Sequence, residues 1–489
     1  MSRLLRGTAL AGFAALSLTA CHPVGPDYKV PDDALVNAPV ATGEFVGADR
    51  PSVVKQGDPA DRWWVLYTDE RLNRLIEQAL AANTDLRVAA ANIARADAAV
   101  AVAEDARLPQ TKLEGAFAYG QISGEEYLQP RSPPAGGLYD TAATVGYQID
   151  LFGQISRGIE AAKADSEAAE AARDVARMTV VAETVRAFVD VCAAGHELEV
   201  ARHSLELQKQ SFDLTHRLVS AGRGTALDVT RSQAQVEQFR ANIPQLEAQH
   251  RVALYRLVTL TGRPPAEFPK DVDRCAAEPT LKAAIPVGDG AALLKRRPDI
   301  RAAERQFAAA TARIGVATAD LYPKISFGLN LESVGDINDF LSGPTMAYSV
   351  GPLISWDFPQ QNGIRARIRA AEAGADAAFA TFDGKVLTAL RETESALTVY
   401  AHDLDRRTAL QAARDRASQA ADQSNQLYRD GRQDAFANLD AQRVLASSDS
   451  ALAQAESKVA EDQVNLFLAL GGGWQVDQPP PQPAGGMPS

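Results

Sequence analysis

Cysteine is nearly missing from this chain of 489 residues, which has three. A disulfide-stapled scaffold is thereby excluded. Cys21 closes the N-terminal segment, while Cys192 falls inside a helical pattern and Cys275 in a linker, so the latter two read as a packed thiol and a loop thiol. Histidine is scarce too, at six. His196 and His203 stand seven apart with Glu197 and Glu199 nearby, but no cysteine and no histidine at i,i+4 joins them, so no metal site is expected. A phosphate loop, G-x-S-x-G and H-E-x-x-H are all lacking, and neither enzyme activity nor a cofactor is expected. After the N-terminal segment no apolar run reaches the ~20 residues of a transmembrane helix, so any membrane crossing must use strands closed into a barrel. Positive charge is in deficit, with a formal net charge of −12. An acidic surface argues against nucleic acid as a partner, and Lys295-Arg296-Arg297 reads as a solvated helix start.

What is present begins with Arg3 and Arg6 ahead of the apolar stretch GTALAGFAALSLTA, which is too short to span a bilayer and ends against Cys21. Residues 1–20 read as a secretory signal. Leu18-Thr19-Ala20-Cys21 matches a bacterial lipoprotein signal, in which the cysteine is acylated and becomes the first mature residue. A covalent lipid on Cys21 is therefore expected. His22 stands where an aspartate would hold a lipoprotein in the inner membrane, so the outer membrane is the expected destination. Cleavage removes Arg3 and Arg6 and lowers the formal charge to −14. A lipid anchor is only moderately strong, which calls for a second hold on the membrane.

The mature chain contains itself twice. Asp85, Arg87 and Pro109 recur 214 residues on as Asp299, Arg301 and Pro323, and Ala161-Ala162, Gly222, Gln233 and Gly262 recur 209 residues on as Ala370-Ala371, Gly431, Gln442 and Gly471. A repeat this long lies far above the solenoid range of about 20–50 residues and indicates one duplicated unit. The expected order is an extended arm over 21–60, a first repeat over 61–278, a second over 279–475 and a Pro/Gly-rich tail over 476–489.

Each repeat carries a helix, a pair of strands and a long helical hairpin. Trp63 to Arg107 reads as one long helix stopped by Pro109, and about Pro298 to Leu321 as its counterpart. Strands are expected at about 111–120, 139–151, 324–332 and 346–358. Leu113, Phe117 and Tyr119 share one face of the first, Tyr139, Val145, Tyr147, Ile149 and Leu151 one face of the second. Ile325, Phe327, Leu329 and Leu331 do so in the third, and Tyr348, Val350, Ile354, Trp356 and Phe358 in the fourth. Opposite them stand Lys324, Ser326, Asn330, Ser349 and Ser355. This fits the lipid-out, lumen-in alternation of an outer-membrane barrel, although a soluble hairpin on a core shares the same period. Four strands cannot close a barrel, since the smallest need about eight, so several copies must contribute.

Arg157 to Ala221 has no proline and would reach roughly 95–100 Å as a helix; Ile364 to Asp430 repeats it. Leu198, Leu205, Phe212 and Val219 form one heptad stripe and Val200, Leu207, Leu214 and Ala221 a second, which suits a helix with a neighbour on each side. In the second repeat Arg407, Arg414 and Arg416 fall at the positions of Leu198, Leu205 and Leu207, so packing there must use alanines in another register. The turns SAGRGTALD and RDGRQDAFA lead into return helices of about half the length, the first with Pro244 inside. The fold class is mainly α with a small β part.

The stretch VGPDYKVP after Cys21, the IDLFGQISRGIEAAKA segment, the block LLKRRPDIRAAERQFAAATARIGVATADLYPKISF, and the turns ending DVTRSQA and NLDAQR resemble the TolC-type outer-membrane efflux proteins, in their OprM/NodT-like lipoprotein branch. The resemblance covers nearly the whole mature chain. It implies a homotrimer whose twelve strands form one outer-membrane β-barrel continuous with a twelve-helix α-barrel. Such a duct is passive and works with a periplasmic adaptor (membrane fusion protein) and an inner-membrane efflux pump. It further implies a periplasmic gate at Phe436, Asp440 and Arg443, where Phe436 and Asp440 share a helix face and three copies would stack an apolar ring on a carboxylate ring. Adaptor-docking tips are implied at Leu218, Gly222 and Thr225 and at Leu427, Gly431 and Gln433. The same residues also read as a core side chain, a solvated charge and helix-capping glycines. A pore-free, periplasm-spanning lipoprotein tether is the competing function; it explains the long helices but not the lipid-patterned strands.

Overall fold

The computed structural model describes residues 23–48, 54–55, 57–121, 123, 130–132, 134–281, 284–359 and 361–475. Cys21 and its expected lipid lie outside these. The elements are a single turn Pro39–Thr42 (α1), Val54–Lys55 (β1), Glu70–Ala82 (α2), Thr84–Asp105 (α3), Gln110–Gly120 (β2), Gly136–Ile149 (β3), Gln154–Ser220 (α4) and Ala226–Leu260 (α5). Then come Ile285–Pro286 (β4), Gly290–Arg296 (α6), Pro298–Ala319 (α7), Lys324–Asp336 (β5), Met346–Ser355 (β6), Asn362–Arg429 (α8) and Ala435–Ala469 (α9). Leu151, Trp356 and Phe358 fall just outside the strands. α5 runs unbroken through Pro244.

The expected single helix from Trp63 to Arg107 is instead three pieces. Trp63–Tyr67 is a 3-10 turn ended by Thr68 at φ 53°, and α2 starts on Asp69, whose carboxylate accepts from the N–H groups of Arg71 and Leu72. Asn83 then interrupts. Its side chain accepts from the Asp85 N–H at 2.8 Å and donates to the Leu260 carbonyl at 3.0 Å, so capping overrides a composition that favours continuous helix.

The described residues divide into two compact units that each draw on both repeats, one within 23–31, 92–170 and 302–382, the other within 32–91, 171–301 and 383–475. Duplication and folding units therefore do not coincide. The first unit is organised around an antiparallel sheet of order β2-β3-β5-β6. The arm crosses its helices: Arg157, buried, reaches the carboxylate of Asp27 at 2.6 Å and the carbonyls of Val24 and Gly25, and the Tyr28 hydroxyl donates to Glu304 at 2.9 Å.

The second unit has a dry centre to which α4 gives Val181, Val185, Phe188 and Val189, α5 gives Leu254 and Leu257 and α9 gives Phe467, all essentially without exposure, with Trp63 stacked on Phe467 at 4.5 Å. Two expectations fail here. Cys192 and Cys275 are joined as a disulfide rather than standing as separate thiols. The segment bearing Cys275 comes close enough because residue 195 is glycine; any Cβ there would strike the Cys275 carbonyl. Lys295-Arg296-Arg297 is not a solvated start either. Arg297 is 6% exposed and donates to Asp299 at 2.8 Å, Glu392 at 2.7 Å and the Ala469 carbonyl at 3.2 Å.

The leucine stripes also need correction. Leu198 is buried as expected, but the buried line of α4 beyond it is Ser204, Gln208, Ser211 and Thr215, and Leu205, Leu207 and Leu214 flank that line, Leu207 at 40% exposure. In α8 the buried positions include Ala401, Ala417, Ala421, Ser424 and Tyr428, while Arg407 and Arg416 face outward and Arg414 pairs with Asp449 at 2.8 Å.

Candidate functional site: a two-faced sheet and paired helix turns

In the sheet, register decides which side chains meet. Leu113 pairs with Ala143, Ala143 with Leu331 and Leu331 with Tyr348; one step along, Val145 pairs with Leu329 and Leu329 with Val350. Because paired residues share a face, the four apolar stripes of separate strands merge into one surface that also holds Phe117, Tyr119, Tyr147, Phe327 and Ile354. Those side chains are exposed in the protomer, Leu113 at 83% and Tyr348 at 80%. The other face collects Lys112, Glu114, Thr144, Gln148, Lys324, Ser326, Asn330, Glu332, Ser349 and Ser355. No soluble core covers the apolar side among the described residues. β2 and β6 each lie at an edge of the sheet.

The two hairpin turns, both in the second unit, share one hydrogen-bond design. Gly222 at φ 77° donates its N–H to the Val219 carbonyl and Arg223 to the Leu218 carbonyl at 2.8 Å; Gly431 at φ 71° donates to Tyr428 and Arg432 to Leu427 at 2.8 Å. This is the Schellman termination, in which a left-handed residue lets two orphan carbonyls be satisfied. Gly222 and Gly431 therefore do cap helices, and Leu218 and Leu427 supply the accepting carbonyls while remaining half-buried. The return helices start with side-chain caps. Thr225 and Asp228 form a reciprocal capping box, and Asp434 accepts from the Ala437 N–H at 2.7 Å. Gln433 donates to the Ser424 hydroxyl at 2.5 Å.

Phe436 is 60% exposed, which removes the reading of it as a core side chain. The guanidinium of Arg231, on α5, lies over its ring at 5.8 Å. Asp440, one turn on, accepts from Arg443 at 2.5 Å, an i,i+3 pair that is roughly half-exposed. Sequence reasoning missed two arginines here. Arg223 packs its guanidinium against the bare Cα of Gly431, and Arg231 covers Phe436. The repeated Gly-Arg of both turns points to Arg223, whereas Arg231 is legible only as the position in the first repeat that matches Asp440.

Beside the turns lies a cavity of about 400 Å³ lined by residues of α4, α5, α8 and α9, among them Gln208, Ser211, Arg217, Asp422, Gln442 and Asp449. The Gln208 amide nitrogen, the Ser211 hydroxyl and the Gln442 amide oxygen have no partner among the described residues. Such groups are completed by solvent. Tyr428 and Thr215 bond across the same seam at 3.3 Å.

Comparison with known proteins agrees with this geometry. Residues 75–263 and 291–472 match the outer membrane efflux protein family. Over 464 residues the chain is 29% identical to nodulation protein T of Rhizobium leguminosarum bv. trifolii, covering 94% of this chain and 96% of that protein. It is 32% identical to the outer membrane protein OprJ of Pseudomonas aeruginosa, covering 94% of each. Among solved structures, the outer-membrane channel OprN superposes with a TM-score of 0.85 at 36% identity, covering 93% of this chain and all of that one.

Proposed function

Because the chain belongs to the outer membrane efflux protein family, we propose that it is the outer-membrane exit duct of a tripartite efflux system, passing small molecules received from an inner-membrane pump through a periplasmic adaptor. The observation that carries this reading is the sheet, apolar on one face, polar on the other and open at both edges. Edges left unpaired in a membrane must find strands, and three copies joined β6 to β2 make twelve. The polar face then lines the lumen. Cys21 carries the lipid that adds a second attachment at the same membrane.

The duct is closed at its periplasmic end by Phe436 and Asp440, with Arg443 holding the carboxylate in place and Arg231 steadying the ring. Three carboxylates around a narrow lumen favour cations. The adaptor docks on the two turns, at Leu218, Gly222 and Thr225 and at Leu427, Gly431 and Gln433, whose rigid caps present the same backbone shape twice per protomer.

Single-channel recording in a planar bilayer tests the reading, with the lipidated wild type set against Phe436→Ala/Asp440→Ala. The expected result is a small cation-selective conductance that rises several-fold and loses selectivity in the variant. No conductance from either protein, with the oligomer intact, would make the chain a pore-free tether.

A further inference from the structure

The connection between β5 and β6, Ile337 to Thr345, does not extend away from the sheet. It folds back over the apolar face. Any Cβ on Gly137 would strike the Ile337 side chain, and one on Gly335 the Thr345 side chain; both glycines lie in the rows that carry Tyr139 and Ser333. Phe340 packs edge-on against Tyr139 at 4.8 Å and sits 6.1 Å from Phe117, which pairs with Tyr139 on that face.

Tyr139 is the post that holds this fold-back. It is 2% exposed, and its hydroxyl bonds the hydroxyls of Ser333 at 2.7 Å and Thr345 at 2.8 Å and accepts from the Leu341 N–H at 3.0 Å. Leu341 has φ 55°, a left-handed conformation that a leucine resists, so the bond from its N–H fixes an otherwise unfavourable turn. The Ile337 and Phe340 side chains lie on the sheet, at Gly137 and Tyr139, and the surface they leave outward is apolar. Ile337, Phe340 and Leu341 are 43%, 46% and 55% exposed.

We infer that this connection is a lipid-inserting knob, with Ile337, Phe340 and Leu341 seated among the acyl chains of the outer leaflet. The occupant follows from continuity. The knob lies on the face that carries Leu113, Val145, Leu329 and Val350, and about ten residues of tilted strand separate its base from the other end of that face, close to the ~25 Å of a barrel's apolar band. Phe340 thus joins the exposed Phe117 and Tyr119 at one rim, and Leu341 is the most exposed acyl-chain contact of the fold-back. The inference rests on the barrel reading above.

The test is a nitroxide at Leu341→Cys in full-length protein reconstituted in phosphatidylcholine vesicles, comparing collision with oxygen, which prefers lipid, and with a nickel chelate, which prefers water. Val350→Cys reports the apolar face and Ser349→Cys the polar one. The expected oxygen-to-nickel ratio at residue 341 resembles that at 350 and falls several-fold toward that at 349 when Tyr139→Phe is added. A water-like ratio at 341 with a lipid-like one at 350 overturns the knob and leaves the barrel standing. Low collision with both reagents at 341 would bury the loop against a neighbouring copy and likewise overturn it. A water-like ratio at 350 removes the barrel reading and the knob together.

Discussion

The sulfur atoms of Cys192, on α4, and Cys275, between α5 and α6, are bonded across a sequence separation of 83. Closing a loop of that size removes freedom from the unfolded chain worth about 4–5 kcal/mol in the chain-entropy account. Cys192→Ser/Cys275→Ser is expected to lower stability by up to that amount, and reductant is expected to lower the Tm of the wild type but not of the double variant. Thermal unfolding with and without dithiothreitol checks both.

Gly222 and Gly431 have the same positive φ, yet they do not have the same surroundings. Nothing lies within 4 Å of a Cβ built on Gly222, whereas one on Gly431 meets the Arg223 guanidinium. Alanine at either costs about 1–2 kcal/mol for the left-handed backbone. Gly431→Ala is expected to cost more, and Arg223→Ala in the same chain is expected to erase the difference. Denaturant midpoints of the four proteins decide it.

Arg297 is a buried cation between two carboxylates. Its removal leaves the largely buried Asp299 without its fork, leaves Glu392 with only Arg391 at 3.9 Å, and leaves the Ala469 carbonyl with only the Thr393 hydroxyl. Arg297→Ala is expected to cost about 3–5 kcal/mol, the usual penalty for orphaning a buried charge. Arg297→Lys, with one charge and no fork, should recover only part of this. Urea unfolding of the three proteins measures the order.

Burial pushes the Asp190 carboxyl up to about 6, with Glu461 adding repulsion and Arg256 and Arg186 opposing it. The folded state therefore takes up a proton at a pH where the unfolded one, with an ordinary aspartate, does not. The contribution of this group to stability therefore rises as pH falls from about 7 toward 4. Relative to Asp190→Asn, the wild type is expected to gain about 1 °C in Tm between pH 7.5 and 5.5. Equal pH profiles for the two would show that Asp190 does not carry the effect.

Period and repetition made much of this legible in the sequence. Leu113, Phe117, Ile325, Phe327 and Leu329 alternate strictly, and Gly222 and Gly431 recur at a fixed offset, so strands and turns could be placed within a few residues. What the sequence hid depends on distant partners. Arg297 looks solvated until Glu392 and Ala469 are brought to it, Cys192 looks like a lone thiol until Cys275 arrives, and nothing local tells that Ser204 and Gln208, not Leu205 and Leu207, take the buried line of α4 beyond its apolar centre. Phe436 and Asp440 were visible as an i,i+4 pair; the arginine over the ring was not.

The polar line Ser204, Gln208, Ser211 and Thr215 gives α4 two mechanical regimes. Around Phe188 and Val189 the helix is clamped by dispersion contacts, which fall away steeply over the first ångström of separation. Along the polar line few contacts are apolar, and hydroxyls and amides such as Thr215 can take up solvent in place of a protein partner at little net cost. Displacement is therefore resisted stiffly at one stretch and softly at the other. A pull applied at the turns flexes the last few helical turns like the free end of a cantilever and leaves the clamped centre at rest.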